Sequence, residues 1–217
     1  MKLSENTLAV LKNFASINSG VVLGAGTAQR TISPEKSILV EATIDDDIPT
    51  QFGIYDLNQF LGNLTTLRNP ELTFSKEGVV LDDGELSFEY RACSANLIIT
   101  PPEKELVLKS VDVTFFLPND TLQKLIKVAT MNGLPNLSVV GKNGQLLLKI
   151  HERANDTSNS GTIQIGDYAG QDFTASFKTD NLKLLPNDYN VEIQKGAFAK
   201  FENASNTLKY FIALETK

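Results

Sequence analysis

The chain has 217 residues, enough for one large domain or for two of about 100 residues that could each bury a core. One cysteine (Cys93) and one histidine (His151) exclude a disulfide framework and a self-contained zinc site, and make a reducing compartment the expected home. A net charge of −6 argues against a protein that grips nucleic acid with its whole surface, because such binding needs clustered lysine and arginine.

The first residues, "MKLSENT", turn polar at once, and no apolar run approaches the ~18 residues that cross a membrane, so neither a signal peptide nor a membrane span is expected. A helix is predicted from Ser4, its N-cap, through Leu8, Leu11, Phe14 and Ala15, with Val10 and Ile17 widening the stripe and Ser19-Gly20 ending it. Strand-like runs "GVVLGAG", "AQRTISP" and "SILVEATI" follow at hairpin distances, with Gly-Ala-Gly read as a hairpin turn. "FGIYDLNQFLGNLTTLRNP" passes from a strand into a second helix that places Leu57, Phe60, Leu61 and Leu64 on one side. Strands "ELTFSKEG", "VVLDDG" and "ELSFEYRA" complete this half, the last two joined by an Asp-Asp-Gly turn. Residues 100–110, "TPPEKELVLKS", read as a connector running over the surface.

The plan then repeats. Setting Leu3 on Leu117 aligns Thr7 with Thr121, Leu8 with Leu122, Leu11 with Leu125 and Ala15 with Ala129, so "PNDTLQKLIKVATMNG" restates the first helix. Strands "NLSVVGKNG", "QLLLKIHE" and "TIQIGDYAG" come next, and "FTASFKTDNLKLLPNDYNVEIQKGAFAKFEN" echoes the strand, leucine-rich helix and strands of the first half. Pro186 stops this last helix early. The expectation is an α+β protein of two tandem similar domains, residues 1–99 and 111–217, each an antiparallel β-sheet with two helices on one face.

The stretches "MKLSENTLAVLKNFASINSG", "IYDLNQFLGNL" and "YFIALE" resemble the T-even-type bacteriophage DNA polymerase sliding clamp, and the resemblance covers the whole chain, most thinly at residues 145–175. It implies the DNA clamp fold, a homotrimeric ring around duplex DNA with helices lining the hole, no catalytic activity and no cofactor. The partners it implies are the C-terminal peptide of the replicative DNA polymerase, an ATP-driven clamp loader and, in this family, transcription factors for late viral genes. The implied location is the cytoplasm of the infected bacterial host.

A ring that must slide needs only a modest positive field on its lining, while its exterior can be acidic. In the four predicted helices, residues 4–19, 54–68, 118–133 and 178–186, Lys12, Arg68, Lys124, Lys127, Lys178 and Lys183 stand against Glu5, Asp56, Asp120 and Asp180. That is a net of +2, which leaves −8 for the rest of a chain carrying −6. Those six basic residues are the expected DNA-facing set, with Lys124 and Lys127 paired on the face opposite Leu122, Leu125 and Ala129. By the same resemblance, Leu106 and Val107 of the connector with Tyr210 and Ile212 of the last strand would form the partner-peptide pocket. The ring would close by pairing "ELSFEYRA" with either "TIQIGDYAG" or "QLLLKIHE" of a neighbour.

Enzyme readings are weaker. "GAGTAQ" opens like a dinucleotide loop, but Gln29 replaces the third small residue and strands follow. Asp45, Asp46 and Asp47 read as a solvated loop before Pro49, and His151 and Glu152, adjacent on a strand, face opposite ways. The competing reading is a β-rich tandem-domain adaptor or virion structural protein that does not encircle DNA.

Overall fold

The computed structural model describes residues 1–215, and the chain divides into two units, Met1–Lys104 and Glu105–Lys217. The first unit contains α1 (Glu5–Ile17), β1 (Val21–Leu23), β2 (Gly26–Ile32), β3 (Ile38–Ile48), β4 (Phe52–Ile54), α2 (Leu57–Thr66), β5 (Glu71–Phe74), β6 (Gly78–Asp82) and β7 (Ser87–Arg91). The second contains β8 (Val113–Leu117), α3 (Asn119–Asn132), β9 (Asn136–Lys142), β10 (Gln145–His151), β11 (Gly161–Asp167), β12 (Phe173–Lys178), β13 (Tyr189–Ile193), β14 (Phe198–Asn203) and β15 (Leu208–Ala213). Single turns of 3₁₀-helix occupy Ala95–Leu97 and Thr179–Asn181. Every strand pairing within the units is antiparallel, so the α+β class and its antiparallel sheets stand as the sequence implies.

Ser4 caps α1, its Oγ accepting the Thr7 N–H at 3.1 Å. The three aspartates after Ile44 lie on β3 rather than on a loop. Asp46 accepts the Ser4 N–H at 2.7 Å and Asp45 accepts from the Asn6 amide at 2.8 Å, so two of the three carboxylates hold the positive end of α1. Burial works against the Asp46 charge, yet hydrogen bonds from Thr7 and Ser4 outweigh it and keep its pKa below the usual carboxylate value. The buried stripe of α1 is Thr7, Val10, Leu11, Phe14 and Ile17, while Leu8 and Ala15 are only half-buried. The helix is rolled toward that side because it packs on α2 as well as on β2 and β3.

Gly24 to Gly26 is not a hairpin turn. β1 pairs with β4 and β2 with β3, so the turn passes between sheets, and the buried Gln29 amide secures it by donating to the Gly24 and Gly26 carbonyls and accepting the Gly24 N–H. Gly26 stands at φ +93°, where a side chain would be strained. A second sheet of the unit runs β5-β6-β7, where Tyr90 meets Phe60 of α2 and Phe52 of β4 edge-on and Phe52 packs tilted against Phe60.

In the second unit one sheet has the order β11-β10-β9-β12 and another runs β8-β13-β14-β15. α3 lies against β10 through Leu122, Leu125 and Ala129 and ends at Gly133, which takes the left-handed cap at φ +62°. The expected fourth helix is absent: Lys178 ends β12, a single 3₁₀ turn follows, and residues 182–186 are irregular. Long-range bonds hold the segment instead. Thr179 donates its N–H to Pro135 O and its hydroxyl to Leu134 O, Leu185 donates its N–H to the Tyr210 hydroxyl at 3.1 Å, and the Tyr189 hydroxyl donates to Leu185 O at 2.6 Å. Pro186 removes the room for a longer helix. The second unit therefore carries one α-helix where two were expected. One consequence appears on α3. Positions equivalent to Val10, Phe14 and Ile17 of α1 are Lys124, Val128 and Met131, and all three are exposed, Met131 at 77 %.

Candidate nucleic-acid interface and subunit edges

Each helix buries one side and offers the other to solvent, and the outward sides differ in charge. On α1 it consists of Glu5, Ala9, Lys12 and Ser16, where one base is offset by one acid. On α2 it is Asn58, Gln59, Gly62, Thr65 and Thr66, with no charge. On α3 it is Asp120, Lys124, Lys127 and Met131, the one outward side with a surplus of base. The structure thus brings Lys124 and Lys127 together on one helix face and leaves Lys12 on another.

The other three basic residues sit on irregular backbone or at a strand end. Arg68 follows α2, and its N–H donates to Asp83 Oδ2 at 3.0 Å. Asp83 also accepts the N–H groups of Leu86 and Glu85, and these bonds hold its carboxyl below the usual range. A shallow cleft gathers Arg68 with Lys2, Glu71, Asp82 and Asp83, so Arg68 stands in acidic company. Lys178, opposite Asn136 in the ladder, opens onto a cleft of about 470 Å³ shared with Glu152, Arg153, Asp180 and Glu215. Lys183 is exposed between the buried Leu182 and Leu184, on the segment that replaces the fourth helix.

The pocket residues divide. Leu106 is half-buried and Val107 is 67 % exposed, whereas Tyr210 and Ile212 are fully buried. Burial pushes the Tyr210 hydroxyl up to about 12 and that of Tyr189 higher still, and both serve to hold Leu185. Tyr210 and Ile212 are core side chains of β15 and offer no wall to a ligand. The alternation in "LKYFIA" carries the signal, since the half-exposed Lys209 marks the solvent face and places Leu208, Tyr210 and Ile212 inward.

His151 has a different partner from the one its neighbour suggested. Its Nε2 lies 2.8 Å from Ser138 Oγ, which in turn lies 2.7 Å from Ser176 Oγ, a hydrogen-bonded chain across β10, β9 and β12. Ser138 is 1 % exposed, so its hydroxyl is closed to solvent and the contact acts as a cross-strand tie. Burial, then Lys149 and Arg153, lower the imidazole pKa and favour the neutral ring. Among the described residues no group of three or more His, Cys, Asp or Glu could hold a metal ion, and no helix is long and apolar enough to cross a membrane.

Strand order decides which edges could pair with another chain. In the β5-β6-β7 sheet the outer side of β5 is met by Met1, whose amine donates to Leu72 O at 2.8 Å and whose carbonyl accepts the Leu72 N–H, and β7 remains as the other edge. In the second unit Glu215 donates its N–H to Ser176 O on β12, and β11 is the opposite edge. β10, the other expected partner strand, is bonded on both sides, to β9 and β11, and has no free edge. Both edge strands show apolar side chains on the face that looks toward the core. Phe88, 39 % exposed, shares that face of β7 with the buried Tyr90, and the half-buried Ile163 of β11 lies opposite the buried Leu148.

Known proteins show the same organisation. Residues 2–77 match the family model described as DNA polymerase processivity factor, and residues 114–216 match that of the gp45 sliding clamp, C terminal. The sliding clamp of Vibrio phage KVP40 is 32 % identical over 99 % of both chains, and that of Enterobacteria phage T4 is 29 % identical over 99 % of this chain and 97 % of its own. Among solved structures, the A. fulgidus PCNA bound by the C-terminal region of FEN-1 superposes with a TM-score of 0.70 at 13 % identity, covering 97 % of this chain and 95 % of that one, which shows a shared fold. Processivity-factor and clamp models that follow one another along the chain, and an end-to-end relative at 32 % identity, establish that it belongs to the sliding clamps of T4-type phages, the DNA polymerase processivity factors.

Proposed function

We propose that three copies of this chain close into a ring around duplex DNA and hold the replicative polymerase to its template, with no catalytic chemistry of their own. The observation that carries this reading is the pair of open, apolar-sided sheet edges, β7 on the first unit and β11 on the second, which suit head-to-tail closure of one copy on the next. The helices would line the hole, where Lys124 and Lys127, supported by Lys12, Lys178, Lys183 and Arg68, would pass from phosphate to phosphate without reading bases. An ATP-driven loader would place the ring on DNA in the cytoplasm of the infected bacterial host. The C-terminal region of FEN-1 on a protein of this fold supports capture of a polymerase tail in the same manner. Here the half-buried Leu106 and the exposed Val107 would meet the tail, and the same surface would serve transcription factors for late viral genes.

Retention on DNA tests the reading. Loaded on a closed circle, the protein should stay bound through gel filtration and be lost once the circle is cut; equal retention on both would point to an adaptor that does not encircle DNA. A solution mass near 71 kDa, about three times 23.8 kDa, is expected for the assembled ring.

A further inference from the structure

We infer that the seam between copies is electrostatically strained at one end, so that added salt tightens the ring while it loosens the grip on DNA. This rests on the ring reading above and deepens it. All strand pairings within the units are antiparallel, and the same sense across the seam would set the start of β7 against the end of β11. The start of β7 is preceded by an acidic turn of Asp82, Asp83 and Glu85, all exposed or half-buried, and the end of β11 carries Asp167, followed by Asp172. The positive groups near the first group are Lys2, Arg68 and the Met1 ammonium, which pairs with Glu71 at 3.5 Å, and this leaves that end at −1. Lys142, across the Gln145 pairing from Asp167, reduces the second group to −1. Like charge therefore faces like charge at this end, whereas at the far end of β7 Arg91 is already paired with Glu89 at 3.2 Å and adds no net charge opposite the start of β11.

The seam must then rely on its apolar middle, Leu86 and Phe88 against Ile163, and its ladder is short. Ile165 is bulged out between the Gly166 and Gln164 pairings, which leaves Gly161 to Gln164 as the straight run of the edge. Charges of −1 and −1 separated by about 10 Å repel weakly in water, and that repulsion is largely screened at high ionic strength. The expected gain between 20 and 500 mM KCl is about 1.5-fold per seam, hence about threefold for a ring closed by three. DNA binding must move the other way, because counterion release weakens it as salt rises.

Sedimentation equilibrium across that salt range tests the inference, with three variants beside the wild type. D167N/D172N should assemble more tightly at 20 mM and lose most of its salt response. E103Q/E105Q removes the same charge from the exposed connector and should keep the wild-type response; if it flattens the response equally, whole-chain repulsion is at work and the inference fails. Wild-type assembly that weakens with salt would also overturn it. F88D separates the inference from the ring reading: a folded F88D, checked by near-UV circular dichroism, should stay monomeric at every salt. If F88D assembles as the wild type does, the β7 seam itself is wrong.

Discussion

Replacing Lys124 and Lys127 together by alanine removes both bases from the outward side of α3 and leaves Asp120, turning a side of +1 into one of −1. Neither lysine makes a salt bridge among the described residues, and alanine is the better helix former, so the fold should not suffer. Each phosphate contact contributes about 0.9 to the slope of log binding constant against log salt, so each engaged copy should lose about 1.8. Across a fourfold rise in salt, the wild type would then weaken about twelvefold more than the variant. K12A, which removes the single base of α1, should lose about half as much slope, or about 3.5-fold over the same range. Fluorescence anisotropy of a labelled short duplex, titrated with assembled protein from 50 to 200 mM KCl, reads both slopes. The reasoning would be refuted by an unchanged slope in the double variant, or by a K12A effect that equals it.

Two further outcomes concern the scaffold. Y210F removes the acceptor for the Leu185 N–H and should cost about 1–2 kcal/mol, lowering the melting temperature by about 2–8 °C, while V107A on the exposed connector should change calorimetric stability by less than about 0.5 kcal/mol. Asp46 has a lower pKa folded than the ordinary aspartate value of 3.8, so its contribution is present above that value and is lost as pH falls through it toward the folded pKa. Urea unfolding should accordingly show D46N less stable than the wild type at pH 7, with the two converging below about pH 3.8.

Much of the fold was legible in local pattern. The Ser4 cap, the leucine spacing of α1 and α3, the Asp-Asp-Gly turn and the doubled order of elements all follow from interactions within a few residues, which sequence displays directly. The outward lysines were legible for the same reason, since a helix that buries Leu122, Leu125 and Ala129 must expose Lys124 and Lys127. Tyr210 and Ile212 were assigned to the partner-peptide pocket although their alternation with Lys209 marked them as inward. The aspartates of β3 gave no local sign of their task, because Ser4 and Asn6 reach them from about 40 positions away.

Periodicity and turn chemistry carried by the chain alone gave most of the element types, the reading of a duplication and the stretches that resemble a clamp. Three matters were decided only in three dimensions. Residues 178–186 have a leucine spacing compatible with a helix, but β12 claims Lys178 and the hydroxyls of Tyr189 and Tyr210 hold Leu185, so tertiary hydrogen bonds override a weak local preference. That loss in turn leaves Val128 and Met131 exposed on α3. The third is which strands are edges: "QLLLKIHE" and "TIQIGDYAG" read alike as strands, yet one is bonded on both sides and the other on one. Strand propensity is a property of a segment, whereas an edge is defined by the neighbour it lacks, and only the folded sheet contains that information.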